Sequence, residues 1–590
     1  MSRFLLDIEA NGLLMDATVV WCIVLRDIDN GTVHTFGPDD IPAAITKIKQ
    51  AKELIGHNLS LYDLPLLQRL HKLDWEDFLV TDTMLWSRLL QPDRLGGHSL
   101  GAWGERLGYA KGDFTDFSEY TEEMLQYCVQ DVEVTSHLYS RLLGQVKNYS
   151  NALAIEHKFA YIISQQVLNG FKLDIGFANE LLNKLETEYD GLYTRLTDEL
   201  PQKRIETHFK GVKKGGRFMG LTESGYQYIT EKTEVIKEAK WKYIDPNPRS
   251  RAQIIEFFQQ KYSWQPDQKT EKGTPIINET VLEAMDYPEA QSFSRLFRLS
   301  KQIAMIASKN GWTTQLHGER VHGSVITNGA VTGRATHSKP NMAQIDSDER
   351  MRACWIPKEG WDLVSCDADQ LEVRALAHFT HPYDQGDLKL VILEGDLHSQ
   401  NQEYCGFKDR KTAKTALYAF IYGAGNIKLG TIEASESPNE SYKVYSLIAK
   451  GKEVRSNLNN SMHGLIQLSK ILNLTLGERN YLFGLDGRPL YIRSQHAALN
   501  TLLQSAGAVT MKMCLIEFWR LAKENNYVHG LDYGLVANVH DEIVFEAHKD
   551  KAEAIGKLVN DAMQVVVEKL DFKCPLTMGC SIGADWSQIH

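Results

Sequence analysis

The sequence predicts a multidomain protein in which a small α/β domain precedes a larger α+β body. Three observations support this fold class. The chain has 590 residues, which is too many for one hydrophobic core and suggests about three to five domains. Apolar segments with strand and helix spacing alternate through the first 150 residues, and long helical periodicity follows them. Beyond residue 310 the strand and helix patterns are mixed, without an internal repeat.

The small α/β domain is predicted over residues 1–150. Phe4–Ile8 and Val19–Leu25 are short apolar runs of strand length. Thr121–Leu142 has the apolar spacing of a helix. Strands that alternate with helices in this way are typical of a sheet covered by helices.

A mostly helical region is predicted over residues 151–310. Helical spacing runs from 151 to 200, where Pro201 ends it, and resumes after the turn Asp245–Pro248. Between these stretches, residues 202–243 form a basic insertion with ten Lys or Arg against five Glu. Contact with the phosphates of a nucleic-acid duplex is the simpler use of this insertion. A solvated run of charges is the alternative.

The bulk composition bounds the class of protein. The net charge of −11 at first disfavours a nucleic-acid partner, but a basic channel can lie on an acidic protein. The eight cysteines are scattered and form no CxxC pair, so reduced thiols are expected. No apolar run approaches the ~18 residues of a membrane-spanning helix, so the expectation is a soluble intracellular protein without a membrane partner.

The most informative pattern is a ladder of four side chains at four-residue steps in RKTAKTALYAFIYGAG: Arg410, Lys414, Tyr418 and Tyr422. On a helix these steps place the side chains on one face. Two cations in line with two phenols form an arrangement that can hold a polyphosphate at one end and a base with its sugar at the other. Solvated cations on a surface helix are the alternative interpretation.

Two distant acids near the second half of the chain are candidate metal ligands. Asp367 ends an apolar run of strand length, and Asp541 lies between two apolar runs that suggest a hairpin with His540-Asp541-Glu542 at its tip. Acids at strand ends and turn tips lie at the rim of a core, where a metal ion and a phosphate can reach them. Two metal ions there would activate a primer 3′-hydroxyl and bind a triphosphate. A turn residue or a helix N-cap is the commoner fate of a single Asp.

A second group of acids lies in the first domain. Asp7 and Glu9 are two residues apart on a predicted strand and share a face. Asp63 comes near the start of a helix, and Tyr127 and Asp131 are one helical turn apart. Four like charges require cations if they converge, and ligands that are all oxygen favour Mg²⁺ or Mn²⁺ over Zn²⁺. For any two of these acids, a structural salt bridge on a strand edge is the alternative interpretation.

This first group resembles the metal-binding set of proofreading exonucleases of the DEDDy type. The matching carboxylates are Asp7, Glu9, Asp63 and Asp131, and Tyr127 matches the tyrosine that completes the set. The resemblance implies an RNase H-like fold, two metal ions, and hydrolysis of DNA in the 3′→5′ direction. It also implies that Tyr127 helps to orient the attacking water.

The second half resembles the family A (Pol I-like) DNA polymerases. Motifs A, B and C of that family are similar to DADQLEVR at 367–374, RKTAKTALYAFIYG at 410–423 and VHDE at 539–542. Further segments resemble the replicative polymerases of short-tailed bacteriophages: HGSVITNGAVTGRATHSKPNMAQI at 322–345, GDLHSQNQ at 395–402, GLDGRPLYIRS at 484–494 and LNTLLQSAGA at 499–508.

The resemblance implies a right-hand polymerase after the exonuclease domain. Its thumb would be 151–310, its palm 311–394 and 484–590, and its fingers 395–483. The implied activity is template-directed DNA synthesis from dNTPs with proofreading, in the cytoplasm of an infected bacterial cell.

The resemblance also implies a role for each matching residue. Asp367, Asp541 and the carbonyl of Ala368 would bind two Mg²⁺ ions, with Mn²⁺ as a substitute. Contacts to the nucleotide would come from His398, Arg410, Lys414, Tyr418, Glu372 and Tyr422, of which Glu372 and Tyr418 would exclude a ribose 2′-hydroxyl. Contacts to the primer–template would come from Arg334, Gln504 and His540. Asp369 departs from the pattern, because relatives carry a small polar residue there.

The partners implied are primer–template DNA and dNTPs, with a replicative helicase or primase and a single-stranded-DNA-binding protein as further candidates. The insertion at 202–243 stands where some phage relatives carry a longer loop that recruits thioredoxin, and no thioredoxin requirement is expected. Three rival functions remain: an exonuclease with a DNA-binding scaffold, a single-subunit RNA polymerase, and a non-enzymatic processivity or structural subunit. Glu372 and the exonuclease set disfavour the RNA polymerase.

Overall fold

A computed structural model describes residues 2–214, 217–220, 234–266, 269, 273–437, 442 and 444–589. These residues form two compact units. The first unit is built from Met1–Asp174 and Gln315–His590, and the second from Ile175–Thr314. Each unit is described below by itself.

The strands and helices follow in chain order. The described strands are β1 (Arg3–Ala10), β2 (Val20–Asp27), β3 (Val33–Phe36), β4 (Glu53–Gly56), β5 (Leu79–Asp82), β6 (Phe171–Lys172), β7 (Lys203–Lys214), β8 (Arg217–Gly220), β9 (Glu234–Ile244), β10 (Leu316–His317), β11 (Arg320–Val321), β12 (Ser324–Ile326), β13 (Thr336–Ser338), β14 (Trp361–Ala368), β15 (Tyr481–Phe483), β16 (Pro489–Tyr491), β17 (Tyr533–Val539), β18 (Glu542–His548) and β19 (Met578–Gly583). The described α-helices are α1 (Ile41–Ile48), α2 (Asp63–His71), α3 (Thr83–Leu90), α4 (Leu100–Leu107), α5 (Glu122–Val146), α6 (Ser150–Asn169), α7 (Ile175–Glu199), α8 (Arg251–Tyr262), α9 (Glu279–Glu283), α10 (Pro288–Ala307), α11 (Glu349–Ala353), α12 (Leu371–Asp384), α13 (Asp387–Glu394), α14 (Leu397–Cys405), α15 (Arg410–Ile421), α16 (Asn426–Ala434), α17 (Val444–Ser461), α18 (His463–Glu478), α19 (Ala498–Glu524) and α20 (Ala552–Lys569).

The N-terminal sheet has the strand order β3-β2-β1-β4-β5. β1, β2 and β3 pair antiparallel, whereas β4 and β5 continue from β1 in parallel. Alternate residues of β1 enter different cores: Leu5 packs with α5, while Phe4 and Leu6 pack with α1 and α2. This order, with helices on both faces, is that of RNase H-like domains. The strands predicted at Phe4–Ile8 and Val19–Leu25 and the helix predicted at Thr121–Leu142 are confirmed. The first strand is wider at both ends, and the second strand and the helix each begin one residue later and end further on.

The central sheet of the first unit has the order β17-β18-β14-β19 and is antiparallel throughout. β14 occupies an inner position, so that its apolar residues are buried. Helices α19 and α20 cover one face, and their apolar residues join those of β14 in a single core. The other face and the strand ends are therefore where polar groups of β14 can meet a ligand.

Hydrogen bonds and ion pairs tie the N-terminal sheet domain to the rest of the first unit. The Trp519 indole N–H donates to Glu76 over 3.2 Å, and the Asn328 amide donates to the Leu85 carbonyl over 3.3 Å. On α6, the fully buried Glu156 pairs with Lys512 over 2.6 Å and with Arg488 over 2.7 Å. Removal of one partner from such a buried ion-pair network costs folding free energy. The network therefore stabilises the contact of α6 with the segments that carry Arg488 and Lys512.

The second unit is a helical body with a small sheet. Apolar residues of α7, α8, α9 and α10 form its core, with Phe258 and Phe293 fully buried at the centre. α7 and α10 are also linked by the pair Arg295–Glu188 over 2.6 Å. The predicted end of the helical run before Pro201 is confirmed, because α7 ends at Glu199. The run itself is not continuous, since α6 ends at Asn169 and β6 separates it from α7 in the chain.

The basic insertion at 202–243 forms paired strands, which the sequence analysis did not predict. Long strands β7 and β9 pair antiparallel along their whole length, and β8 pairs with β7. Residues 215–216 and 221–233, including Gly215-Gly216, and the side chains of 203–243 lie outside the described residues. The predicted contact of this insertion with duplex phosphates therefore stays a prediction. Among the residues that the structure describes, no helix has the length and apolar character to cross a membrane.

Candidate active sites

The first candidate site lies where β1, α2 and α5 meet. Asp7 and Glu9 project from the same face of β1, and a register shift directly after Glu9 interrupts its pairing with β2. Ligand atoms of Asp7, Glu9 and Cys128 lie within 4.8 Å of one another, and the Cys128 thiol contacts Asp7 over 3.4 Å. A β-bulge at such a position redirects a side chain, which suits Glu9 to a shared site.

Asp63 is placed by a hydrogen-bonded turn before α2. The Asp82 carboxylate accepts from the backbone N–H groups of Asn58 and Ser60 over 2.9 and 3.0 Å. Asn58 has a φ of 64°, a left-handed value that Asn tolerates better than most residues. This turn leads into α2 with Asp63 as its first residue and 5% exposed.

The four carboxylates of the first group lie within electrostatic reach of one another. Burial and then repulsion from Asp131 raise the pKa of Asp7. Burial and then repulsion from Asp7 and Asp131 raise the pKa of Glu9. Burial and then Asp7 raise the pKa of Asp63 well above its usual value. The acids thus lie close enough to oppose each other's ionisation, which is the state expected where cations are to be bound.

A lysine that the sequence interpretation missed enters this cluster. The Lys111 ammonium lies 2.5 Å from Asp131 and 4.7 Å from the centre of the Tyr127 ring. Burial lowers the pKa of Lys111, but attraction to Asp131 outweighs it, so the net pKa is raised. Lys111 therefore joins Asp131 and Tyr127, which stand one turn apart on α5.

The donor set of the first site fits divalent metal ions. Asp131 is 2% exposed, and its Oδ1 atom has no hydrogen-bond partner in the described structure. A buried carboxylate oxygen without a partner is costly, and Lys111 neutralises only one of four acids. The remaining negative charge and the hard oxygen donors match Mg²⁺ or Mn²⁺, whereas the Cys128 thiol is already held against Asp7.

The second candidate site lies at one end of the central sheet. Asp367 is near the end of β14, and Asp541 occupies the two-residue turn between β17 and β18. β14 pairs with β18 so that Asp367 faces Glu542, and the Ala368 N–H donates to the Asp541 carbonyl over 3.0 Å. The two distant acids are therefore neighbours. Partial burial, with repulsion from Asp541 next, raises the pKa of Asp367 to about 7.

Two nearby acids differ in their orientation. Glu542 does not lie at the hairpin tip, which corrects the sequence interpretation: it begins β18, is 4% exposed, and accepts from Ser365 over 2.6 Å. Asp369 is exposed and its carboxylate accepts from the Thr577 hydroxyl over 2.6 Å. Asp369 is thus held toward the β19 side, although its charge still contributes to the raised pKa of Asp367.

The ladder is a helix, as predicted, with one difference at its end. Arg410, Lys414 and Tyr418 lie on α15, whereas Tyr422 is the residue that caps it before Gly423, whose φ is +77°. The Tyr418 and Tyr422 rings are still neighbours, 6.3 Å apart. The opposite face is buried as predicted: Ala413, Ala416, Leu417 and Phe420.

The cationic end of α15 meets the start of α14. Arg410 forms two hydrogen bonds with Asp396, over 2.6 and 3.0 Å. Asp396 also caps α14 by accepting from the His398 N–H over 3.0 Å. His398 is 6% exposed, and burial together with Arg410 and Lys414 lowers its pKa, so its ring is neutral near pH 7. Its Nδ1 atom has no partner in the described structure.

The aromatic end of α15 faces the acids. Burial, Glu372 and Asp541 raise the pKa of Tyr418, so this phenol lies within electrostatic reach of the hairpin acid. Glu372 accepts from Arg334 over 2.9 Å, and it lies within electrostatic reach of Tyr422, whose pKa is raised by burial and by Glu372. The ladder therefore runs from Asp396 at one end to Glu372 and Asp541 at the other.

Two of the three residues expected to contact a primer–template line one small cavity, and the third lies on a helix beside it. Arg334 and His540 both line it, and burial with the nearby Arg334 lowers the pKa of His540. Gln504 is half-buried on α19, one helical turn before Ala508, which lines the same cavity. The structure therefore brings these positions to one region beside Asp541.

Several contacts of the two sites were not visible in the sequence. Lys111 lies in a segment without regular spacing, and no pattern marks it. Asp396 stands in GDLHSQNQ, where an Asp three residues before Ser399 could have signalled only a helix cap. The pairing of Glu372 with Arg334 depends on tertiary structure alone. The sequence found the acids because strand ends, helix starts and turns are local features.

Comparison with known proteins agrees with this geometry. The model of the family "DNA polymerase family A" matches residues 221–588. The chain is 30% identical to the DNA-directed DNA polymerase of Enterobacteria phage T3, over an alignment that covers 99% of each chain. The DNA-directed DNA polymerase of Escherichia phage T7 is similar to the same extent, with 30% identity and 99% coverage of each chain.

A solved structure shares the fold. It is the POL domain of Pol1 from M. smegmatis, in complex with DNA primer-template and dNTP, with a TM-score of 0.75 and 16% identity. The similarity covers 100% of this chain and 96% of the other. Because the family match spans more than half of the sequence and the phage relatives align along nearly all of it, this chain belongs to DNA polymerase family A.

Proposed function

We propose that the chain is a template-directed DNA polymerase that transfers nucleotides from dNTPs to a primer 3′-hydroxyl and that also trims 3′ ends. Family membership and the names of the phage relatives support the polymerase activity. The observation that carries it is the meeting of Asp367 and Asp541 beside the Tyr418 end of α15. The domains proposed are exonuclease 1–150, thumb 151–310, palm 311–394 and 484–590, and fingers 395–483.

The cationic end of α15 is proposed to hold the triphosphate. Lys414 is exposed, and Arg410 is exposed and held in a fixed orientation by Asp396. His398 is neutral and buried with a free ring nitrogen, so it can give a directional hydrogen bond without adding charge. Phosphoryl transfer depends mostly on positioning and charge neutralisation, and these groups supply both.

Asp367, Asp541 and the Ala368 carbonyl are the proposed ligands of two Mg²⁺ ions, for which Mn²⁺ would substitute. Such ions would increase the nucleophilicity of the primer hydroxyl and neutralise charge on the leaving pyrophosphate. The protein's own part is to bring two acids from distant segments together on β14 and the β17–β18 turn. Burial, and after it repulsion from Asp541, raises the pKa of Asp367 to about 7, and bound cations would oppose both effects.

Tyr418 and Glu372 are proposed to select deoxyribose. Tyr418 is half-buried on the helix and Glu372 is 8% exposed beneath the ladder. A 2′-hydroxyl would meet a Glu372 carboxylate that is already bonded to Arg334 and lies close to Tyr418, so it would be excluded. Tyr422, 45% exposed, is proposed to stack at the templating position.

The primer terminus is proposed to rest against Arg334, Gln504 and His540. Arg334 and His540 line one cavity next to Asp541, and Gln504 lies on α19 one turn before Ala508, which lines the same cavity. Hydrogen-bond donors there would read the minor-groove acceptors that all correct base pairs present. A mismatch would displace those acceptors and slow extension.

The first candidate site is proposed to be the 3′→5′ exonuclease. Asp7, Glu9, Asp63 and Asp131 would hold two Mg²⁺ ions, and Tyr127 would orient the attacking water. Lys111 holds Tyr127 and Asp131 in their relative positions through contacts with both. The convergence of all four acids supports this proposal.

Partners beyond DNA and dNTPs are proposed from the resemblance to phage replication enzymes. A replicative helicase or primase and a single-stranded-DNA-binding protein would act with the chain in an infected bacterial cell. Thioredoxin is not expected to be required. Extension of a long primed template with and without thioredoxin measures that expectation directly.

The decisive experiment uses a 5′-labelled primer–template with Mg²⁺, with and without dNTPs. The native chain should lengthen the primer with dNTPs and shorten it without them. Asp541→Ala should abolish lengthening and keep shortening, whereas Asp7→Ala combined with Glu9→Ala should do the reverse. Lengthening that survives Asp541→Ala would refute the palm assignment, and incorporation of rNTPs in place of dNTPs would favour an RNA polymerase.

A further inference from the structure

Two cysteines face each other in the central sheet, directly beside a proposed metal ligand. Cys366 on β14 is opposite Cys580 on β19, and their sulfur atoms are 2.7 Å apart. Cys366 immediately precedes Asp367, and the two cysteines are 214 residues apart in the chain. Side chains alternate along a strand, so the sulfurs lie on the opposite face of β14 from the Asp367 carboxylate.

The backbone geometry at this pair suits a disulfide. One step beyond the Ala368–Met578 pair, the Asp369 N–H donates to the Thr577 carbonyl over 3.0 Å. Hydrogen-bonded and non-hydrogen-bonded pairs alternate in an antiparallel ladder, which makes Cys366 and Cys580 a non-hydrogen-bonded pair. The Cα atoms of such pairs are about 4.5 Å apart, within the range of about 4.4–6.8 Å found for disulfides.

The two thiols also differ in access. Cys366 is fully buried, whereas Cys580 belongs to an exposed position. Helix α20 packs against Cys580 through Gly556, whose carbonyl lies 3.3 Å from the sulfur. Because β19 is the edge strand of the sheet and Cys580 is an exposed residue, an oxidant can approach the pair from the Cys580 side, while the buried Cys366 thiol lies beside it as a resolving partner.

We propose that Cys366 and Cys580 are a site of reversible oxidation by hydrogen peroxide, which joins β14 and β19 through a disulfide. Peroxide oxygen is transferred to the Cys580 thiol, giving the sulfenic acid and one water. The Cys366 sulfur then attacks that sulfur, the S–O bond breaks, the S–S bond forms, and a second water leaves with the Cys366 proton. Two thiols are oxidised and one peroxide is reduced, so that atoms and electrons balance.

The bond would hold the strand that carries Asp367 to the last strand of the sheet. A cross-link across so long a segment restricts the unfolded chain. The oxidised protein should therefore melt at least about 3 °C higher than the reduced protein. Dithiothreitol should remove both the bond and the increase.

The test treats the reduced full chain with hydrogen peroxide and counts free thiols, then maps peptides without reduction. The expected result is two fewer thiols than the eight of the sequence, a mass lower by two hydrogens, and a peptide of Cys366 linked to one of Cys580. Cys580→Ser and Cys366→Ala should each prevent the link and the increase in Tm. Cys514→Ala removes a buried thiol bonded to the Val559 carbonyl and should leave both intact.

Three outcomes would overturn the proposal. They are an unchanged thiol count, oxidation of Cys580 to a sulfinic acid without a link, and a link that forms elsewhere, such as between the buried Cys22 and Cys128. Cys580→Ser is the safer variant because it changes an exposed position. The result does not depend on polymerase or exonuclease activity, so it can be judged whatever those assays give.

Discussion

Both acidic sites hold carboxylates of like charge close together, but the surroundings of the two sites differ. In the first, Asp63 and Asp131 are 5% and 2% exposed, and Lys111 is bound to the cluster. In the second, Asp367 is exposed, and within the described part of the chain neither Asp367 nor Asp541 forms an ion pair. Buried like charges need a cation supplied by the protein itself. Acids at the rim of the central sheet can be solvated by water in the absence of a metal ion and a nucleotide.

The largest effect is expected from the same substitution, Asp→Asn, made once in each site. Asp131→Asn should reduce trimming by roughly 10³-fold and leave extension intact, and Asp367→Asn should do the reverse, because each loses a proposed ligand worth several kcal/mol to the transition state. Single-turnover trimming and extension rates measure both.

The same pair of variants should differ in stability without metal. Asp131→Asn leaves Lys111 without its charged partner and should lower the Tm in EDTA. Asp367→Asn removes repulsion at the rim and should leave the Tm unchanged or raise it. Equal shifts in the two variants would contradict the contrast between the sites.

Removal of the Lys111 cation should have the next largest effect. Lys111→Met should slow trimming by about tenfold, because Tyr127 and Asp131 lose the group that holds them together. Lys111→Arg should retain most of the activity, and extension should not change in either variant. Lys49→Met, at an exposed helix end, is the matched control. A Lys111→Met protein that trims at the native rate would show that the lysine is only a surface charge.

The pH dependence of stability should also distinguish the sites. Burial and mutual repulsion raise the pKa values of Asp7, Glu9 and Asp63, so the folded state keeps protons that the unfolded chain releases above about pH 4. Stability in EDTA should therefore fall as the pH rises from about 4 through the raised pKa values. Asp7→Asn with Glu9→Gln should flatten the slope of Tm against pH, whereas Glu119→Gln at an exposed position should not. Saturating Mg²⁺ should flatten the slope in the native chain.

The smallest effect is expected at the Arg410 end of α15. Asp396→Asn keeps an N-cap side chain for α14 but removes the charge that orients Arg410. The KM for dNTP should rise about two- to threefold with little change in kcat, because an exposed ion pair contributes little. Asp409→Asn, an exposed residue that caps α15 without a side-chain bond, is the control. A tenfold change in kcat would mean that Asp396 acts on the reaction itself.

Local sequence patterns predicted many elements of this molecule. Contacts between segments far apart in the chain could not be predicted. The step of four in the ladder and the step of two between Asp7 and Glu9 depend only on helix and strand geometry, and the structure has both. The hairpin at His540-Asp541 was also predictable, but the burial of Glu542 was not, because Ser365 comes from another strand. The strands β7 and β9 were missed since charged residues weaken the strand pattern. Lys111 was missed because its partner is set by tertiary packing.

The junction of Glu156 with Arg488 and Lys512 has a consequence for the passage of a primer end between the sites. Both acidic clusters belong to one compact unit, and this buried network, with the Trp519–Glu76 bond, fastens them to each other. The distance between the two acidic clusters is therefore fixed by the scaffold. With the functions proposed for them, an erroneous 3′ end would have to unpair and cross that distance itself, so the frequency of editing would be governed by how readily the duplex frays.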